Sequence, residues 1–173
     1  MFRAILACTL SVWAMLVGAL ERDAPFDSID GGTLSLSDWA GQPILVVNTA
    51  SLCGFSGQYS DLQTLYDRYR DRGLIVLAIP SDDFKQELSS NAEVKEFCEL
   101  QYGLDMPMTT ITTVTGPDAH PLYASLQSDY GFTPTWNFNK VLIGPDGDVV
   151  DTFASSAQPL SAQITGPIED LLN

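Results

Sequence analysis

The sequence predicts an α/β sandwich: a mixed central sheet with helices on both faces and a β-hairpin at the N-terminal edge. Three observations carry this. Ile44–Asn48 and Leu74–Ile79 are almost wholly apolar and rich in β-branched residues, the pattern of strands buried on both faces. Between them Tyr59, Leu62, Leu65, Tyr66 and Tyr69 recur at helical spacing, so the unit reads strand, helix, parallel strand. Later, Gly144-Pro145-Asp146-Gly147 separates two more strand-like runs by a turn, which joins them antiparallel.

Taken in order, Phe26 to Leu36 reads as the hairpin, with Asp30-Gly31-Gly32 as its turn. Asp38-Trp39-Ala40-Gly41 and Pro43 lead into the first buried strand. The helix that follows runs to about Arg72 and is closed by Gly73. Pro80 to Ser90 is an irregular polar loop. Ser90-Asn91-Ala92-Glu93 fits a capping box, and Val94, Phe97, Cys98 and Tyr102 then share one helical face up to Gly103. Met106-Pro107 breaks the chain, and Ile111 to Val114 has the composition of a short strand. His120-Pro121-Leu122-Tyr123 opens a brief helix to about Gln127. Trp136 to Ile143 reads as a strand entered through Pro134, and Val149–Phe153 as its antiparallel partner. An amphipathic helix from Ser161 to Leu172 ends the chain. Hairpin, βαβ, α, ββ, α is the order of a thioredoxin-like sandwich. Fold alone assigns no chemistry.

The bulk numbers suit one such domain. At 173 residues, 45% hydrophobic and 17% charged, the chain can bury a single good core. Its 22 acidic residues against 8 basic give a net charge of −14, a surface that repels nucleic acid and anionic membranes. Residues 1–19 read separately, as a secretory signal peptide: Arg3 precedes a nearly unbroken apolar run, and Val17-Gly18-Ala19 offers small residues for cleavage near Ala19. An uncleaved membrane anchor is the alternative. The remaining domain, residues 20–173, is expected outside the cytoplasm, in a periplasm or secreted.

Cleavage removes Cys8 and leaves Cys53 and Cys98. Two cysteines in an oxidising compartment suggest a disulfide, either a fixed staple or a catalytic intermediate. Cys53 lies on a strand-to-helix turn, where unpaired N–H groups and the helix dipole favour a reactive thiolate. The bland reading is a buried structural cysteine, against which the open turn Gly54 and the polar Ser56 argue. Cys98 sits on the apolar side of its helix, where a small core residue is the bland reading. With His120 the only histidine, no metal site is expected, and no residues suggest a cofactor.

Several segments resemble the glutathione peroxidase family: Val47-Asn48-Thr49-Ala50-Ser51-Leu52-Cys53-Gly54-Phe55, Ile79-Pro80 with Phe84, Glu96-Phe97-Cys98, His120-Pro121-Leu122-Tyr123, and Trp136-Asn137-Phe138-Asn139-Lys140. The similarity spans Phe26 to Leu172 in the right order. It implies reduction of hydroperoxides by Cys53 as peroxidatic nucleophile, with Trp136 and Asn137 as hydrogen-bond donors toward the sulfur. It also implies that Cys98 resolves the oxidised Cys53, with a thioredoxin-like dithiol a better reductant than glutathione. The short segment between Tyr123 and Trp136 lacks the insertion of tetrameric members, which implies a monomer. Three departures stand out. Asp83 falls where the family's catalytic glutamine is expected, and an ionised carboxylate there donates no hydrogen bond and repels a thiolate, so either the site is slower, Asp83 is protonated, or Lys85 or Gln86 compensates. Ser81 replaces a cysteine common in that loop. Leu52 replaces a polar residue before the nucleophile.

Two other readings compete. Cys53-Gly54-Phe55-Ser56 is also the signature of monothiol glutaredoxins, although the surrounding chain does not resemble them. A non-enzymatic exported domain with a structural Cys53–Cys98 bridge is the other.

Overall fold

The computed structural model describes residues 20–173, so the leader read in residues 1–19, with Cys8, lies outside the described residues. Two short strands, β1 (Phe26–Asp27) and β2 (Thr33–Leu34), pair antiparallel with Phe26 opposite Leu34. Gly31 and Gly32 between them take φ of 94° and 77°, the left-handed region that side chains disfavour. After a 3₁₀ turn at Leu36–Trp39, β3 (Ile44–Thr49) enters the core. Next come α1 (Gln58–Tyr69), a 3₁₀ turn at Arg70–Arg72 closed by Gly73, and β4 (Ile75–Pro80). The rest is α2 (Asn91–Tyr102), α3 (Pro121–Tyr130), β5 (Lys140–Ile143), β6 (Val149–Phe153) and α4 (Ala162–Leu171).

The main sheet has the order β4-β3-β5-β6. β3 and β4 run parallel from Ile44 opposite Ile75 to Thr49 opposite Pro80, while β5 runs antiparallel to both β3 and β6. The period of two along each strand divides the core. Leu45, Val47, Val76, Ala78 and Leu142 pack with Leu62 and Leu65 of α1, Val94 of α2, and Ile164 and Ile168 of α4. Val46, Leu77, Ile79 and Val141 pack on the opposite face with Leu122 and Leu126 of α3 and with Phe26 and Leu36. The expected sandwich, mixed sheet and hairpin are all present.

Four local expectations are corrected. Ile111–Val114 forms no strand: the chain meets β4 earlier, where Met108 bridges Ala78 and Thr109 bridges Ser28. Beyond that point the Thr109 and Thr112 hydroxyls bond the carbonyl of Thr110, a local alternative to a sheet ladder. The strand expected from Trp136 begins only at Lys140, because Phe138 turns the chain at φ 64° with its ring fully buried. α3 continues past Gln127 to Tyr130, where Gly131 at φ 65° caps it. The capping box of α2 is half formed: the Ser90 hydroxyl accepts from the Glu93 N–H, but the Glu93 carboxylate accepts from the hydroxyls of Ser89 and Ser90.

Candidate active site

Cys53 stands in the turn between β3 and α1, 3% exposed, with its neighbour Leu52 61% exposed beside it. Its Sγ accepts a hydrogen bond from the Phe55 N–H at 3.4 Å, and its carbonyl accepts from the Ser56 N–H. The donor therefore comes from the turn itself. The first helical turn lies further on, with Gly57 as its N-cap.

The turn is held from below by the loop after β4. Ser51 N–H donates to a carboxylate oxygen of Glu87 at 2.9 Å, and Leu52 N–H donates to the carbonyl of Gln86 at 2.9 Å. From the other side comes the Trp136–Asn139 turn, tied to the end of β3 through Asn48. The Asn48 amide donates to the Trp136 carbonyl at 2.9 Å, and its own carbonyl accepts from the Phe138 N–H at 2.6 Å. This pairing brings two segments distant in sequence to one end of the sheet.

Asn137 is fully buried there. Its Nδ2 donates to Gln86 Oε1 at 3.2 Å, and its Oδ1 has no protein partner. Trp136 is 40% exposed and packs its ring against Phe84 with centroids 5.4 Å apart. Gln86 thus links Asn137 through its side chain and the Cys53 turn through its backbone.

Asp83 is elsewhere. Its Oδ2 accepts from the N–H groups of Val114 and Thr115, each at 2.8 Å, and from the Thr115 hydroxyl at 3.0 Å. The Asp83 carboxylate is thus bound to the loop before α3, while the neutral amide side chain that bonds Asn137 belongs to Gln86. Between them Lys85 takes φ 58°, and the residues after it, Gln86 and Glu87, bond the Leu52 and Ser51 N–H groups of the Cys53 turn.

Cys98 lies on α2, 1% exposed and in the same core cluster as Cys53, and both are free thiols. Burial pushes the Cys98 thiol up to about 12, so in this arrangement it is un-ionised. Two buried groups to which the sequence alone gives no role also support the site. Lys140, fully buried, donates from Nζ to Gln58 Oε1 at 2.6 Å and to the Phe138 carbonyl at 2.8 Å. Burial lowers its pKa to about 8. Glu87 is buried with its pKa raised by desolvation. Lys140 was visible as a charged residue one strand period from inward-facing Leu142. Glu87 carried no signal within a loop read as polar.

A thioredoxin-fold scaffold presenting a buried free cysteine among amide donors is the class these features define. The Glutathione peroxidase family profile matches residues 23–127. The glutathione peroxidase of Lactococcus lactis subsp. cremoris is 42% identical over 136 residues, which cover 76% of this chain and 87% of that one. The hydroperoxy fatty acid reductase gpx1 of Synechocystis sp. is 40% identical over 157 residues, covering 84% and 92%. Among solved structures, that of Trgpx in apo form superposes with a TM-score of 0.69 at 29% identity, covering 90% of this chain and 96% of that one. The chain belongs to the glutathione peroxidase family.

Proposed function

We propose that this protein is a thiol-dependent peroxidase in which Cys53 attacks the hydroperoxide. The observation that carries the reading is the convergence on one end of the sheet of a sequestered free thiol and the amides of Asn137 and Gln86. The Cys53 thiolate attacks the distal oxygen of the peroxide. The O–O bond breaks, the sulfur becomes a sulfenic acid, and the departing alkoxide or hydroxide takes a proton. Amide and indole donors fixed before the reaction stabilise the charge that moves onto the oxygens, at no reorganisation cost. Asn137 and Gln86 supply amides, and Trp136 supplies the indole N–H.

Substrate size follows from the rim. Exposed Leu52 in the Cys53 turn and half-exposed Trp136, packed on Phe84, give the surface around the site an apolar character in this reading. Such a surface favours organic hydroperoxides over hydrogen peroxide, in keeping with the activity that the name of the Synechocystis relative states.

The reading continues with Cys98 as resolving cysteine and an external dithiol, of thioredoxin type, as reductant. Reaching Cys53 requires α2 to leave its place. That helix has 12 residues, of which Val94 and Cys98 alone are buried, and a helix this short is marginal by itself. Local opening is therefore inexpensive compared with global unfolding. Cleavage of a leader near Ala19 would put this cycle outside the cytoplasm, acting as a monomer. Peroxide-dependent turnover, measured with thioredoxin and with glutathione offered separately, tests the assignment. Turnover with the dithiol and little with glutathione is the expected result; activity with glutathione alone contradicts it.

A further inference from the structure

Trp136 is half exposed, yet its backbone is held on both sides by buried amide side chains. Its carbonyl accepts from Asn48 Nδ2 at 2.9 Å. On the other side Asn139 Oδ1 accepts from the Thr135 N–H at 2.8 Å and, more loosely, from the Trp136 N–H at 3.4 Å. Only an oxygen can take those bonds, so the Asn139 amide stands one way round, with Nδ2 donating to Ser155 Oγ at 3.0 Å. Two buried amides placed around a residue whose ring lies at the surface gain little for the core. What they fix is where the indole stands. Ser155 carries the link across to the nucleophile. This buried residue, in the loop between β6 and α4, accepts through its hydroxyl from Asn139 and through its carbonyl from Gln58 Nε2, the latter at 2.7 Å. Gln58, the first residue of α1, donates its N–H to the Phe55 carbonyl at 2.9 Å, and the Phe55 N–H donates to Cys53 Sγ at 3.4 Å. Hydrogen bonds through three buried side chains, Asn139, Ser155 and Gln58, thus join the peptide of Trp136 to the sulfur of Cys53.

We propose that Asn139 and Ser155 are positioning residues of the peroxidase site, setting the Trp136 indole against the Cys53 turn. This rests on the peroxidase reading above and adds two residues to it. Neither residue meets the reacting atoms. Asn139 holds the peptide from which the indole projects, and Ser155 ties that peptide to the start of α1, which in turn carries the Phe55 N–H that binds the sulfur. Placement of this kind bears on rate, because a donor stabilises charge on the peroxide oxygens only if it is in place before the O–O bond breaks. A displacement of about 1 Å costs on the order of 100-fold. The Asn48 bond alone leaves the incoming side of the turn unheld, since it grips the Trp136 carbonyl and not the peptide before it. Asn139 supplies that second grip, and the hydroxyl of Ser155 keeps the Asn139 amide from rotating away.

A double-mutant cycle with Trp136→Phe separates positioning from mere support of the fold. The measured quantity is the rate at which tert-butyl hydroperoxide oxidises Cys53, followed by quenching with an alkylating agent and mass spectrometry. Asn139→Leu keeps the volume and removes both hydrogen-bonding ends. With Trp136 present it should slow oxidation at least ~10-fold, well within the cost of a misplaced donor. In the Trp136→Phe protein, where the indole is already gone, the same change should alter the rate by no more than about twofold. A loss of equal size in both backgrounds means that Asn139 only holds the fold, and overturns the proposal. No loss in either background overturns it as well. Should Asn139→Leu fail to fold, Ser155→Ala decides. It deletes one hydroxyl, keeps the carbonyl that binds Gln58, and should slow oxidation about fivefold when Trp136 is present and not when it is phenylalanine. Equal rates with and without the Ser155 hydroxyl, or equal losses in both backgrounds, overturn the proposal. A wild type whose Cys53 escapes oxidation removes the peroxidase reading and this inference with it. A wild type that is oxidised, with no coupling to Trp136, removes this inference alone.

Discussion

Lys140 is a buried ammonium whose partners are an amide oxygen and a backbone carbonyl, with no carboxylate in contact. Burying a charge without a counter-charge favours the neutral amine. The folded-state pKa is accordingly about 8 against an ordinary 10.5. The sign of the resulting stability change follows from proton counts. Below pH 8 both folded and unfolded chains carry the proton, and the native state bears the full cost of the buried charge. Between pH 8 and 10.5 the unfolded chain keeps its proton while the folded chain has lost it, so stability rises with pH. At about 1.4 kcal/mol per unit, the whole interval is worth roughly 3 kcal/mol. Lys140→Met, which fills the same space without a charge, should lose this term. Urea unfolding at intervals from pH 7 to 10.5 measures it as the difference between the two proteins. Groups common to both cancel. The variant should also oxidise Cys53 more slowly, because Gln58 and the Phe138 turn that positions Asn137 lose their shared donor. Parallel stability curves across that pH range would refute the electrostatic argument.

The remaining predictions concern the site directly. Cys53→Ser should abolish peroxide consumption with the circular dichroism spectrum retained; residual turnover in that protein would remove the nucleophile assignment. Gln86→Ala takes away the partner of Asn137 and one amide donor, and should slow Cys53 oxidation ~100-fold, the usual effect of losing one such donor; competition kinetics against a reference thiol measures it. Asp83→Ala strips three hydrogen bonds from the loop before α3 and should cost about 1–3 kcal/mol in urea unfolding, while the rate of Cys53 oxidation stays within about twofold. A much larger effect on that rate would return Asp83 to the site. Cys98→Ser should leave Cys53 as sulfenic or more highly oxidised acid after a peroxide pulse and fail to turn over with thioredoxin.

The parts of the fold legible in the sequence were those written in periodicity. The apolar runs of β3 and β4, the helical spacing of Tyr59 to Tyr69, and the glycines at the hairpin and at Gly73 each act locally. What escaped was decided by tertiary contacts. Phe138 adopts a backbone that its side-chain type disfavours, since burying the ring and bonding to Asn48 outweigh the local cost. A strand was therefore expected where a turn stands. The same limitation governed the site. Cys53, Trp136 and Asn137 stand in motifs, but linear spacing cannot register that in the loop after β4 the Asp83 carboxylate turns to Val114 and Thr115 while the Gln86 side chain turns to Asn137. Glu87 differs from a surface charge only in its burial, which single-residue chemistry does not reveal.

The central claim is that Cys53 and Cys98 form one redox pair driven by peroxide. Reduced protein titrated with a hydroperoxide, with free thiols counted at each addition and the bridged peptides identified by mass spectrometry, tests it most directly. Both thiols should disappear with one equivalent, and an intramolecular Cys53–Cys98 disulfide should take their place. Thiols that survive excess peroxide, or bridges formed only between chains, would contradict it.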